Sequence, residues 1–214
     1  MSTINASPTR PASANTVSPY KLSHVAIQTA RFADVRDWYA TVLGAHLVFD
    51  NGKIALLTYD DEHHRIAIIH GPRLAERADD VACVAHIAFT YRTLEALVAT
   101  YARLKADGIL PWRALNHGPT VSLYYRDPDR TQVELQIDVF ATVEEANEFL
   151  ASDVFAENPV GVPFDPDRMV ELLASGVPVT ELKKQGAAQG KNLAGTSLVK
   201  DDFATVPVRD WKTT

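Results

Sequence analysis

Two stretches of the chain, Ser23–Gly44 (SHVAIQTARFADVRDWYATVLG) and Ala85–Lys105 (AHIAFTYRTLEALVATYARLK), carry one pattern twice. In each, a histidine opens an alternating apolar run, and apolar residues at helical intervals follow. Alternation with period two predicts a strand in which His24, Ala26 and Gln28 share one face. Phe32, Val35, Trp38 or Tyr39, and Val42 recur three or four residues apart, and Gly44 supplies the stop, so a helix is predicted between them. His24 and His86 are 62 residues apart (86 − 24), and the same offset pairs Ala26 with Ala88, Tyr39 with Tyr101 and Ala40 with Ala102.

Three strand-like runs follow each helix. In the first copy they are AHLVFDN, GKIALLTYDD and HRIAIIHG; in the second, LPWRALNH, TVSLYYRD and TQVELQID. Turn-forming Asp, Asn and Gly separate them. Two tandem βαβββ modules, over residues 20–80 and 81–139, are the simplest account. The fold class is therefore α+β, with a curled mixed sheet around a cleft.

The flanks differ in texture. Residues 1–19 are rich in Ser, Thr, Pro, Ala and Asn and bury too little to offset ordering, so a flexible tail is predicted. Residues 140–214 read as a helical extension and arm. Asp165 and Pro166 suit a helix start and Gly176 its stop, and a further short helix falls around VTELKKQG.

Composition excludes some partners. A net charge of −6 argues against a grip on phosphate backbones, so no nucleic acid is expected. No apolar run is long enough for a bilayer, and no basic start with an apolar stretch marks secretion, so no membrane partner and a cytoplasmic location are expected. The single cysteine, Cys83, sits in DVACVAHI and reads as a small buried side chain.

The repeat breaks at one informative position. Glu134 lies in the apolar strand TQVELQID, where a carboxylate is costly unless paired or bound to a cation. Counting from the aligned turns, its counterpart in the first copy is Ala67. Duplication thus leaves two histidines and one carboxylate. His24, His86 and Glu134 have the composition that holds non-haem Fe(II) on one face and leaves positions open.

SHVAIQT, AHIAFTY and YYRDPDRTQVELQ together resemble the vicinal oxygen chelate superfamily and, within it, the single-domain type I extradiol ring-cleaving dioxygenases. The resemblance covers about Tyr20–Asp138. It implies metal ligands at His24, His86 and Glu134, with Fe(II) as the metal and Mn(II) as the alternative. DEHHRIAI resembles the segment carrying the acid–base histidine, which places that role on His64. NHGPT resembles the segment of a second active-site histidine, His117, although the spacing from His117 to Tyr124 is shorter than in many relatives. SLYYRDPD matches the active-site tyrosine at Tyr124, and strand alternation turns Tyr125 the other way.

The implied partners are a catechol-type substrate and O2, with His117 and Tyr124 bonding the ring hydroxyl and the developing oxyanion. Phe32, Trp112, the loop Asn116–Thr120 and the C-terminal helices are the candidates for shaping the pocket. A homo-oligomer is expected from the exposed edges of such modules. The turn after Asp127-Pro128-Asp129 has Arg130 and Thr131 where the family usually has Gly and Asn, which strains Arg130 if its φ is positive. Two rivals are carried alongside: a divalent-metal lyase or isomerase of the glyoxalase type, which usually needs a second carboxylate where Ala67 stands, and a metal-free small-molecule-binding or resistance protein.

Overall fold

A computed structural model describes residues 17–78 and 81–190. The expected tail lies mostly outside them, as does the arm beyond residue 190.

The first module runs β1 (Val25–Thr29), α1 (Phe32–Leu43), β2 (His46–Asp50), β3 (Ile54–Thr58) and β4 (Ile66–His70). The second repeats the order with β5 (Ile87–Thr90), α2 (Leu94–Ala106), β6 (Arg113–Asn116), β7 (Thr120–Arg126) and β8 (Gln132–Asp138). The extension adds α3 (Val143–Leu150), α4 (Asp153–Glu157), β9 (Val162–Pro163), α5 (Pro166–Ala174) and α6 (Val179–Leu182). The two-module α+β architecture expected from the sequence is the one observed, with one mixed sheet per module: β1-β4-β3-β2 and β5-β8-β7-β6-β9.

Local chemistry accounts for the element ends. Gly44 closes α1 in the left-handed conformation (φ 61°), which glycine adopts without a Cβ clash. Thr93 caps α2 by accepting from Ala96 N. Asp165 caps α5 by accepting from Asp167 N and Arg168 N, with Pro166 in the first turn.

The ladders fix the correspondence between modules. β1 pairs parallel with β4 so that Ala26 faces Ala67, and β5 pairs parallel with β8 so that Ala88 faces Glu134. Because Ala26 and Ala88 are repeat equivalents, Ala67 does occupy the position of Glu134.

One apolar core spans both modules. Val35, Tyr39 and Val42 of α1, Leu57, Ile66 and Ile68 of the first sheet, and Leu97, Leu104, Val133 and Leu135 of the second belong to one buried cluster. Each fully buried Leu or Ile there contributes about 1.5–3 kcal/mol. Met169 and Leu182 add α5 and α6 to the same core. Polar contacts also join the modules: Arg103 donates to Thr41 O and Val42 O, and the Tyr39 hydroxyl bonds Asp127 Oδ2 at 3.3 Å.

Three particulars refine the sequence reading. Arg130 takes φ 64°, the left-handed conformation in which a side chain is strained. It is clasped from the inter-module linker: Arg77 Nη2 donates to Arg130 O at 2.6 Å and Arg130 Nη2 to Arg77 O at 2.5 Å. Cys83 is exposed rather than buried, because Val81–Ala85 leads into β5 without joining a ladder, and Val84 beside it is exposed too. Phe32 packs into the core at 8 % exposure and does not line the pocket described below. Among the described residues, no helix is long and apolar enough to cross a membrane.

Candidate active site

The second sheet sets its polar residues in rows. Directly paired strand residues point to the same face. Arg113 of β6 faces Tyr124 of β7, Tyr124 faces Glu134 of β8, and Glu134 faces Ala88 of β5. Arg126 and Gln132 form the adjacent row, two residues along. His86 stands one position before β5, on the side of that row.

Glu134 is buried, its side chain 5 % exposed, and its carboxylate is held from three directions. Its Oε2 lies 3.0 Å from His86 Nε2. Its Oε1 accepts from the Tyr124 hydroxyl at 2.9 Å and lies 4.0 Å from His117 Nε2. The same hydroxyl lies 2.8 Å from His117 Nε2. The phenol has one proton for two neighbours, so that proton can pass between Glu134 and His117 with little movement of heavy atoms.

Electrostatics keep this trio poised. Burial, and then the negative charge of Glu134, hold the Tyr124 phenol above the ordinary tyrosine range, so it stays a neutral donor. Burial lowers His117, while Glu134 pulls the other way. Tyr125 points into the core and is fully buried, as strand alternation requires.

His86, His117 and Tyr124 line a pocket of about 800 Å³, together with Trp112, Arg113, Arg126 and Gln132. The far wall is Pro159 and Val160, from the extension. Gly161 makes this close approach feasible. A Cβ there would stand 2.3 Å from Asn116 O and 2.6 Å from His117 Cα, and the residue has φ 93°.

The first module contributes a separate histidine cluster. His24 and His64 have ring centroids 4.4 Å apart, and His63 Nδ1 lies 2.6 Å from His64 Nδ1. Desolvation, then the charges of His24 and His63, lower the His64 imidazole, with Glu62 opposing. His63 is the more exposed of the adjacent pair.

The structure therefore brings His86, Glu134, Tyr124 and His117 together, and sets His24 beside His64. Among the described residues, no three His, Cys, Asp or Glu side chains are gathered closely enough to hold a metal ion. The donor chemistry nonetheless fits a divalent cation. Glu134 is a buried carboxylate aimed at an imidazole nitrogen, and His24 occupies the matching position of the first module.

Several pocket residues escaped the sequence reading. Arg113, Arg126, Gln132, Pro159 and Val160 were given no role in that reading. The strand alternation that placed Tyr124 could have found Arg126, two residues on. Pro159 and Val160 are brought in by a chain reversal with no sequence period.

Comparison with known proteins follows the same lines. Residues 21–135 match the model of the Glyoxalase/Bleomycin resistance protein/Dioxygenase superfamily. Biphenyl-2,3-diol 1,2-dioxygenase 2 of Rhodococcus globerulus is 44% identical over 163 residues, 76% of this chain and 86% of that protein. Biphenyl-2,3-diol 1,2-dioxygenase 3 of the same organism is 43% identical over 169 residues, 78% of this chain and 88% of that protein. A crystal structure of a glyoxalase/bleomycin resistance protein/dioxygenase from Nocardioides superimposes with a TM-score of 0.48 at 18% identity, covering 60% of this chain and 89% of that one.

Proposed function

The chain belongs to the glyoxalase/bleomycin resistance protein/dioxygenase superfamily, and from that premise we propose that it is an extradiol ring-cleaving dioxygenase acting on a catechol-type aromatic diol with O2. One observation carries the reading: a chain 44% identical to a biphenyl-2,3-diol 1,2-dioxygenase has His86, Tyr124 and His117 lining one pocket, with the buried Glu134 carboxylate in contact with His86 and Tyr124. An enzyme of this kind works through a catalytic metal, and Fe(II) is the ion proposed.

His86 and Glu134 would hold it from the second module and His24 from the first. Bound iron would let electron density pass from the diol to O2, which a redox-inert ion such as Zn2+ could not do. The remaining chemistry belongs to side chains of this chain. The Tyr124 hydroxyl and His117 Nε2, 2.8 Å apart, would both bond one ring hydroxyl, with the neutral phenol donating to its oxygen and the imidazole taking up its proton as the diol ionises. His64, whose imidazole is lowered toward the neutral form, would deliver and remove protons on the O2 side. Pro159 and Val160 would close the apolar wall and exclude water.

In the overall reaction, the carbon–carbon bond between a hydroxyl-bearing ring carbon and its neighbour outside the diol breaks. Both atoms of O2 enter the product, a ring-opened semialdehyde acid, or a keto acid where that neighbour carries a substituent, as in biphenyl-2,3-diol. A glyoxalase-type lyase has less support, because Ala67 faces Ala26 where a second carboxylate would be needed.

The test is anaerobic reconstitution with Fe(II), followed by biphenyl-2,3-diol and air. The expected result is a yellow ring-fission product and one O2 consumed per diol. Metal uptake without oxygen consumption across a panel of diols would overturn the reading.

A further inference from the structure

One end of the pocket, around Trp112, is cationic. Arg126 lies two residues beyond Tyr124 on the same face of β7, roughly 7 Å along the strand. Its guanidinium lies 4.2 Å from the centroid of the Trp112 ring, and that of Arg113 lies 4.7 Å from the same ring. Two positive groups are thus stacked about one indole. Among the described residues no carboxylate lines this end of the pocket, and Arg126 meets none.

The charge of this wall selects the group that a ligand would place there. A carboxylate brings a negative charge and two acceptor oxygens, and guanidinium is the side chain best shaped to hold one.

We propose that the substrate of this enzyme is a catechol-type diol bearing a carboxylate, with the carboxylate bound by Arg126 and the two hydroxyls at the Glu134 end; the proposal rests on the dioxygenase reading. The roughly 7 Å between the Tyr124 and Arg126 positions is about the reach of one aromatic ring and a short substituent. Arg126 is then the residue that sets specificity. Arg113, in contact with both Trp112 and Tyr124, supports the same end of the pocket.

Binding and turnover must be read separately on the full chain reconstituted with Fe(II). Calorimetry under anaerobic conditions would compare catechol and biphenyl-2,3-diol with 3-(2,3-dihydroxyphenyl)propanoate and 3,4-dihydroxybenzoate; oxygen uptake would follow with the same four. The expected result is tighter binding and higher kcat/KM for at least one carboxylated diol. Arg126→Gln should cut that preference by about 10- to 100-fold, and Arg126→Lys should restore part of it. Carboxylate-selective binding without oxygen uptake would uphold the carboxylate site at Arg126 and overturn the dioxygenase reading, and with it the role of the bound diol as substrate. Turnover of neutral diols, with carboxylated ones bound no better and the ratio indifferent to Arg126→Gln, would overturn the proposal alone. Binding of no diol at all would overturn both.

Discussion

The Tyr124 hydroxyl bonds Glu134 Oε1 at 2.9 Å across the β7–β8 ladder, so the proposed metal carboxylate and the proposed oxyanion donor are held by one register. Tyr124→Phe keeps the ring and removes the hydroxyl. Turnover should fall by roughly 100-fold, with iron content retained because His86 still faces Glu134. Oxygen uptake and metal analysis on the same sample test this; loss of iron along with activity would show that the phenol's main task is to hold the carboxylate.

His24 and His64 stack at 4.4 Å but are assigned different tasks. His64→Phe should retain iron and lower turnover by about 100- to 10,000-fold. His24→Ala should lower iron content instead. Metal analysis and oxygen uptake on both variants separate the roles, and the reverse pattern would exchange them.

Gly161 lets the extension pass against the backbone of Asn116 and His117. A Cβ 2.3 Å from a carbonyl oxygen, on a residue with φ 93°, forces the segment outward. Gly161→Ala should destabilise the fold by about 2 kcal/mol or more and raise KM by displacing Pro159 and Val160. Denaturant midpoints and steady-state kinetics measure the two effects; an unchanged midpoint would mean the close approach is not maintained in solution.

Asp127 is buried at 3 % exposure, and that burial is the main reason its carboxyl titrates above the ordinary value of 3.8. The folded state therefore holds this proton more tightly than the unfolded chain does. Its contribution to stability is most favourable below the unfolded value and is lost as pH rises through the raised folded one. Asp127→Asn keeps an acceptor for Thr131 N, which now bonds Asp127 Oδ1 at 2.7 Å, and removes the ionisation. The variant's stability relative to the parent should rise as pH increases above about 4, as thermal or chemical denaturation at a series of pH values would register. A constant or falling difference would contradict the sign.

Much of the frame was legible in one dimension. Periods of two and 3.6 residues are local properties, and they located α1 and α2 within a residue or two and β1 and β5 within about a turn's length, the strands starting at Val25 and Ile87. Counting from the aligned turns already gave Glu134 an alanine as its counterpart, and the two parallel ladders place Ala67 there. Glu134 was likewise available, because an ionisable group within an apolar strand stands out by its burial cost, whereas Tyr124 and His117 were reached through the family resemblance alone.

Other features depended on contacts between distant parts of the chain. Apolar context alone suggested a buried Cys83, but burial requires a neighbouring element, and among the described residues none covers the segment before β5. Arg130 could be recognised only as a departure from a Gly-Asn turn; its left-handed backbone and its clasp with Arg77 emerge from the fold.

By itself, then, the sequence determined the duplicated βαβββ frame and the chemistry of its donors, since repeat spacing and residue type survive without any coordinates. Only the tertiary structure decided which donors stand together and what surrounds them. It joined His86 to Glu134, set His24 beside His64, stacked Arg126 on Trp112, and brought Pro159 and Val160 over the pocket. Those relations arise from packing across long sequence separations, where no local period records which residues will meet.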